Sequence, residues 1–357
     1  MEAMKNTVLI FFVTAAAGFA QVECPGFPNC LYTQQQEYEF ATSRANVTYN
    51  DVSGTPRTIE ITIRTPNRPG PLPVMIWAHG GGDGRNGEGA SAGALSDWST
   101  FTARAGYLTV SPAFHVRNAA DQSSICKHLG YAEGTECDSF NSLGWDRPFD
   151  MRAILDYLAR QNQSGALQGR VDMSRIGIGG HSAGSSGTLS MAGAHREYNR
   201  KRFQGPEWFE DPRPKAFVAM SPSSPGFSGL WDTSYRDSTN SWDSIQRPVL
   251  MVTGAGDAHE QTPRGRRIGH TYLPPGDKYL LYIDDTDFGH GDYGDDLNEC
   301  VYSRVSSAKC AVFRTVLHSA VLAFLDGHVQ GSQQALDYVQ KGVVQRLSRD
   351  LIDWRQK

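Results

Sequence analysis

The chain has 357 residues, 39% of them hydrophobic and 10% aromatic, enough to build a sizeable core in one large domain or two small ones. Its 34 basic residues against 38 acidic ones leave a formal net charge of −4, which argues against a dedicated nucleic-acid binder. A mean hydropathy of −0.43 excludes a polytopic membrane protein, and 37 glycines and 18 prolines without a fixed period describe a loop-rich globular chain, not a collagen-like one.

At the N-terminus Lys5 precedes the apolar run VLIFFVTAAAGFA, residues 8–20. That run is shorter than the roughly 20 apolar residues a membrane-spanning helix needs. A basic start, an apolar centre and the small residues Gly18 and Ala20 predict a signal peptide over residues 1–20, with 21–357 expected as one mature domain. Met4 is an alternative start, and an N-terminal anchor is the competing reading. A secreted or periplasmic location with no stable membrane span is expected. Six cysteines agree with export. They fall into close pairs, and closure within each pair is the simplest choice: Cys24–Cys30, Cys126–Cys137 and Cys300–Cys310. None has the CxxC spacing of a zinc or redox site. Asn46-Val47-Thr48 and Asn162-Gln163-Ser164 are glycosylation sequons.

Residues 57–65 (RTIEITIRT) alternate, with Ile59, Ile61 and Ile63 on one face, which predicts a half-exposed strand near a sheet edge. The runs at 73–79, 107–112, 175–181, 215–222, 248–254 and 278–285 are short and apolar, as parallel strands buried on both faces are. Between and after them, 149–161, 183–196, 311–325 and 333–354 carry helical spacing, the last as a terminal amphipathic helix. Strands alternating with helices imply a mostly parallel sheet. The stretches 113–147 and 222–246 read as long irregular loops, with Trp98, Phe114, Trp145, Phe227 and Trp231 as candidate pocket aromatics beside ordinary packing roles.

G-x-S-x-G occurs twice, at Gly89–Gly93 around Ser91 and at Gly180–Gly184 around Ser182. A nucleophile elbow needs a strand before the serine and a helix after it. RIGIGG and AGSSGTLSMAGA supply these for Ser182, whereas GDGRNGEGA before Ser91 cannot be a strand. A serine hydroxyl needs a base, and the base needs an orienting carboxylate. In the order Ser, acid, His, each just past a strand, Asp257 and His290 fit; Asp284, Asp285 and Asp287 compete as the acid but lie so close to His290 that they suit loop shaping better. His181 is expected to pack, His115 to sit on a loop or line the pocket, His259 to brace the site or lie exposed, and His318 to lie on the surface. His79-Gly80-Gly81-Gly82 ends a strand and offers backbone N–H groups for an oxyanion, with Ala183 as the second donor. A phosphate-binding glycine loop would need a Lys that is absent here. The acidic run 291–299 lacks EF-hand spacing for calcium.

From about residue 57 to 326, these elements in this order resemble the α/β-hydrolase superfamily. The stretches SWDSIQRPVLMVTGAGD and LPPGDKYLLYIDDTDFGH are similar to the secreted dienelactone-hydrolase-like, chlorophyllase and platelet-activating-factor acetylhydrolase-like esterases. HGGG is also similar to the motif of hormone-sensitive-lipase-type esterases, although Asp83 follows it here in place of an aromatic residue. The resemblance implies an α/β-hydrolase fold, a mostly parallel sheet flanked by helices with long loops over the active site. It implies the triad Ser182, Asp257 and His290, and an oxyanion hole from Gly81, Gly82 and Ala183. It implies a serine carboxylic-ester hydrolase working through an acyl-enzyme on short-acyl esters, without metal or organic cofactor; serine in place of cysteine argues against dienelactone hydrolysis. Amide or thioester hydrolysis, and a non-catalytic binding protein on the same fold, are the alternatives.

Overall fold

A computed structural model of the chain describes residues 24–81, 95–128, 139–194, 209–223, 242–259, 262–294, 300 and 304–357. The leader, Ser91, Gly82, Cys137, Phe227 and Trp231 lie outside the described residues. Nine strands form one sheet: β1 (Phe40–Asn50), β2 (Pro56–Pro66), β3 (Leu72–Ala78), β4 (Leu108–Ala113), β5 (Val171–His181), β6 (Ala216–Met220), β7 (Val249–Gly254), β8 (Lys278–Ile283) and β9 (Ile352–Gln356). Their order is β1-β2-β4-β3-β5-β6-β7-β8-β9. The six strands from β4 to β8 run parallel, and β1, β2 and β9 join antiparallel at the two margins.

The parallel strands are apolar on both faces because both faces are covered. Met75, Trp77, Val218, Leu250 and Leu281 point to one layer, packed by α1 (Ser96–Arg104), α6 (Ser307–His328) and α7 (Gln333–Gln340). Val74, Ile76, Ile178, Phe217 and Met251 point to the other, packed by α3 (Ser139–Ser164) and α4 (Ala183–Ala192). The helix α6 is long and apolar enough to cross a membrane, but Val316, Leu317, Val321 and Phe324 are buried in the first layer. Cys24–Cys30 and Cys300–Cys310 are disulfide-bonded, as the nearest-pair reading expects, and are compatible with an extracellular or periplasmic location; the Cys126–Cys137 pair falls partly outside the described residues.

Three expectations are corrected. The terminal stretch 333–354 is not one helix: α7 gives way to the short α8 (Val343–Leu347), Arg349 and Asp350 take left-handed φ values of 53° and 61°, and the chain leaves as β9. The stretch 113–147 is not wholly irregular, since it holds α2 (Ala119–His128) and the start of α3. His318 is not a surface residue; its ring stacks on Phe101 at 3.8 Å and meets Trp98 edge-on at 5.2 Å. On β2, the face opposite the isoleucines is also partly covered, with Thr62 and Arg64 buried.

Candidate active site

Parallel strands place their carboxyl ends together, and loops there form the usual sites of open α/β sheets. At the end of β5, Ser182 adopts φ 52° and ψ −120°, a conformation rare for a residue with a side chain. Its N–H donates to the carbonyl of Met220 at 3.0 Å, and its carbonyl accepts from the N–H of Ser185 at 3.0 Å, so strand and helix both hold the turn. The turn is tight because Gly184 permits it: a Cβ there would lie 2.0 Å from the carbonyl oxygen of Ala78. Ala183 opens α4, where an N–H lacks an intrahelical acceptor.

The end of β3 lies directly against this turn. A Cβ on Gly81 would be 3.7 Å from that of Ala183, and one on Gly80 would be 3.5 Å from that of Ser182. The N–H groups of Gly81 and Ala183 are not hydrogen-bonded to any described residue. His79 Nε2 accepts the N–H of Phe114 at 2.9 Å, so the ring proton sits on Nδ1 and donates to the carbonyl of Gly80 at 2.7 Å. Burial, and then the nearby charge of Arg147, push His79 down to about 3, keeping it neutral. Arg147 on α3 donates from Nη1 to the His79 carbonyl and from Nη2 to the Gly80 carbonyl at 2.8 Å.

Asp257 follows β7 and is wholly buried. Its carboxylate accepts from His290 Nδ1 at 2.7 Å and from Thr253 Oγ1 at 2.8 Å, and it faces Arg266 Nε at 3.0 Å. Burial alone would raise its pKa, but the His290 hydrogen bond, the Arg266 charge and the Thr253 hydroxyl outweigh it and hold the carboxyl below its usual range. The loops carrying acid and histidine meet through a parallel bridge between Gly256 and Gly289. Asp285 accepts the N–H groups of Asp287 and Phe288 and pairs with Lys309, shaping the turn, while Asp284 and Asp287 are exposed.

His290 lies between two other imidazoles, with ring centroids 4.8 Å from His181 and 4.9 Å from His259. His181, next to Ser182 in the chain, donates from Nε2 to the His290 carbonyl at 2.9 Å, tying the histidine loop to the elbow. Burial, and then the neighbouring His290, lower His181 to about 3. Ser182 Oγ makes no hydrogen bond to His290 in this structure; such bonds often close only when substrate is bound.

The structure therefore brings Ser182, Ala183, Gly81, Asp257 and His290 to one end of the sheet, with Gly82 outside the described residues. Of the candidate aromatics, Trp98 donates to the Tyr293 carbonyl at 2.9 Å, Phe114 packs on His79 at 5.2 Å, and Trp145 packs on Phe149 and Phe209, so all three act as packing. Asn162 commits its side-chain amide to Val171 in both directions at 2.9 Å, whereas Asn46 is exposed on β1. Two site residues carry no motif: Arg147 sits in a stretch that reads as loop, and Arg266 on α5 (Pro263–Tyr272) looks in sequence like any surface arginine. No protein-family model matches the chain, and no curated protein matches it significantly.

Proposed function

We propose that the protein is an exported serine carboxylic-ester hydrolase of the α/β-hydrolase type. The observation that carries this reading is the Asp257–His290 pair at 2.7 Å, linked by His181 to a serine held at positive φ between strand and helix. In the proposed reaction His290 Nε2 takes the Ser182 proton as Oγ attacks the ester carbonyl. Asp257 fixes the Nδ1–H tautomer and stabilises the imidazolium. The N–H groups of Ala183 and Gly81 face the oxygen as it becomes negative. His290 then protonates the departing alcohol, water enters by the same route, and the carboxylic acid leaves Ser182 free.

The test is a p-nitrophenyl ester series from acetate to palmitate on the mature chain. Short acyl chains are expected to react fastest. Ser182→Ala and His290→Ala should each lose on the order of 10⁴-fold in kcat, while Ser91→Ala should change little. An inactive wild type, or a Ser182→Ala variant as fast as wild type, would overturn the reading.

A further inference from the structure

An oxyanion hole depends on where its N–H groups point, and a glycine-rich strand end does not fix that by itself. In a trans peptide the carbonyl of one residue and the N–H of the next point in opposite directions. The only cis bond among the described residues is Phe27–Pro28. Whatever grips the carbonyls of His79 and Gly80 from behind therefore aims the N–H groups of Gly80 and Gly81 forward, toward the elbow.

Arg147 grips both. Its planar fork donates to the two successive carbonyls, and His79 Nδ1–H fills the second position on the Gly80 oxygen. The fork is itself held still. Arg147 is buried, with its guanidinium over the Phe114 ring at 4.9 Å. The residues around it on α3 are pinned by buried ion pairs: Asp146 to Arg117 at 2.7 Å, and Asp150 to Arg57 at 2.7 Å and 2.8 Å. Tyr49 adds a hydroxyl to Asp150 at 2.8 Å. A lysine could not reproduce this grip, since a single ammonium lacks the fork geometry that spans two acceptors.

We propose that Arg147 is the positioning residue of the oxyanion hole, orienting the Gly81 N–H through the Gly80 peptide and placing a buried positive charge one peptide unit behind it. This rests on the hydrolase reading and assigns a part of that site that no motif marks. A positioning role acts on the transition state and spares substrate binding, which a general loss of structure does not do.

The experiment compares wild type, Arg147→Met and Arg147→Lys in kcat, KM and thermal melting, with fluorophosphonate labelling of Ser182 as a control. Arg147→Met is expected to lose about 10²-fold or more in kcat, the scale of one lost oxyanion donor, with KM within about threefold. Arg147→Lys should lose at least about tenfold with the same split. A folded Arg147→Met variant with kcat within about threefold of wild type, or with its loss confined to KM, overturns the proposal. Should Arg147→Met fail to fold, a wild-type kcat in Arg147→Lys overturns it equally. A wild type that neither takes the label nor hydrolyses esters removes the hydrolase reading, and this assignment with it.

Discussion

Asp257 is wholly buried, and its two oxygens accept two hydrogen bonds while facing the guanidinium of Arg266. Oδ1 faces both His290 Nδ1 and Arg266 Nε, so the acid serves the histidine and neutralises a buried guanidinium at once. Replacing it tests both duties. In Asp257→Asn an amide that presents N–H toward His290 favours the wrong tautomer, and kcat should fall on the order of 10⁴-fold. The same change strips Arg266 of its carboxylate, and breaking a buried ion pair costs about 3–5 kcal/mol. Urea denaturation should therefore shift together with activity, and a variant with wild-type stability would show that the Arg266 pairing carries little. The candidates Ser182, Asp257 and His290 were readable in the sequence because each sits beside a strand end within a short motif. Arg147 and Arg266 were not, because a buried arginine is defined by the carbonyls and carboxylates that the fold brings against it. His318 misled for the same reason: helical spacing put it opposite the apolar stripe, but α1 brings Phe101 and Trp98 against it.

Among the elements, the parallel strands were readable because burial on both faces leaves an unbroken apolar run. Strand β1 escaped because it is an edge: FATSRANVTYN is mostly exposed and owes its conformation to pairing with β2. Strand β9 was hidden inside a helical pattern that left-handed turns at Gly342 and at Arg349 and Asp350 interrupt. The contact between the loops after β7 and β8 makes a prediction of its own. A Cβ on Gly256 would lie 2.4 Å from the carbonyl oxygen of Phe288, backbone that cannot yield like a side-chain tip. Gly256→Ala should thus push the 286–290 loop away from Asp257 and lower kcat by about tenfold or more, since small misplacements of catalytic groups are costly. The low-field NMR proton on His290 Nδ1 should weaken or move in that variant. Wild-type kcat with an unshifted resonance would mean that the loops tolerate the extra methyl.

Across the whole molecule, buried neutral histidines dominate the response to acid. Burial is the main cause of depression in each: His79, His181 and His318 to about 3, and His270, beside Lys357, Arg355 and Arg267, to about 4, with His328 lowered too. Below the ordinary value of 6.5 the unfolded chain binds a proton at each position and the folded chain does not, so stability present above 6.5 is lost as the pH falls. Each group contributes about 1.4 kcal/mol per pH unit, and the four lowered to about 3 or 4 together contribute up to about 8 kcal/mol by pH 5. That is comparable to the whole folding free energy of many domains, roughly 5–15 kcal/mol. The lowered carboxyls of Asp51, Asp211 and Asp257 add their loss only on the acid side of about pH 4. Asp146 and Asp326, whose carboxyls are raised by burial, work the other way and favour the folded chain as protons bind. The histidine contribution comes first on acidification, so the melting temperature should be level above about pH 7 and fall steeply from pH 6.5 to 5. His270 lies outside the site, donating to the Lys278 carbonyl at the opposite end of β8 from His290. In His270→Gln, which keeps a donor but does not titrate, the slope between pH 6.5 and 5 should drop by about a quarter with kcat unaffected. A wild-type melting temperature that stays flat down to pH 4.5 would show that these histidines take up protons in the folded chain.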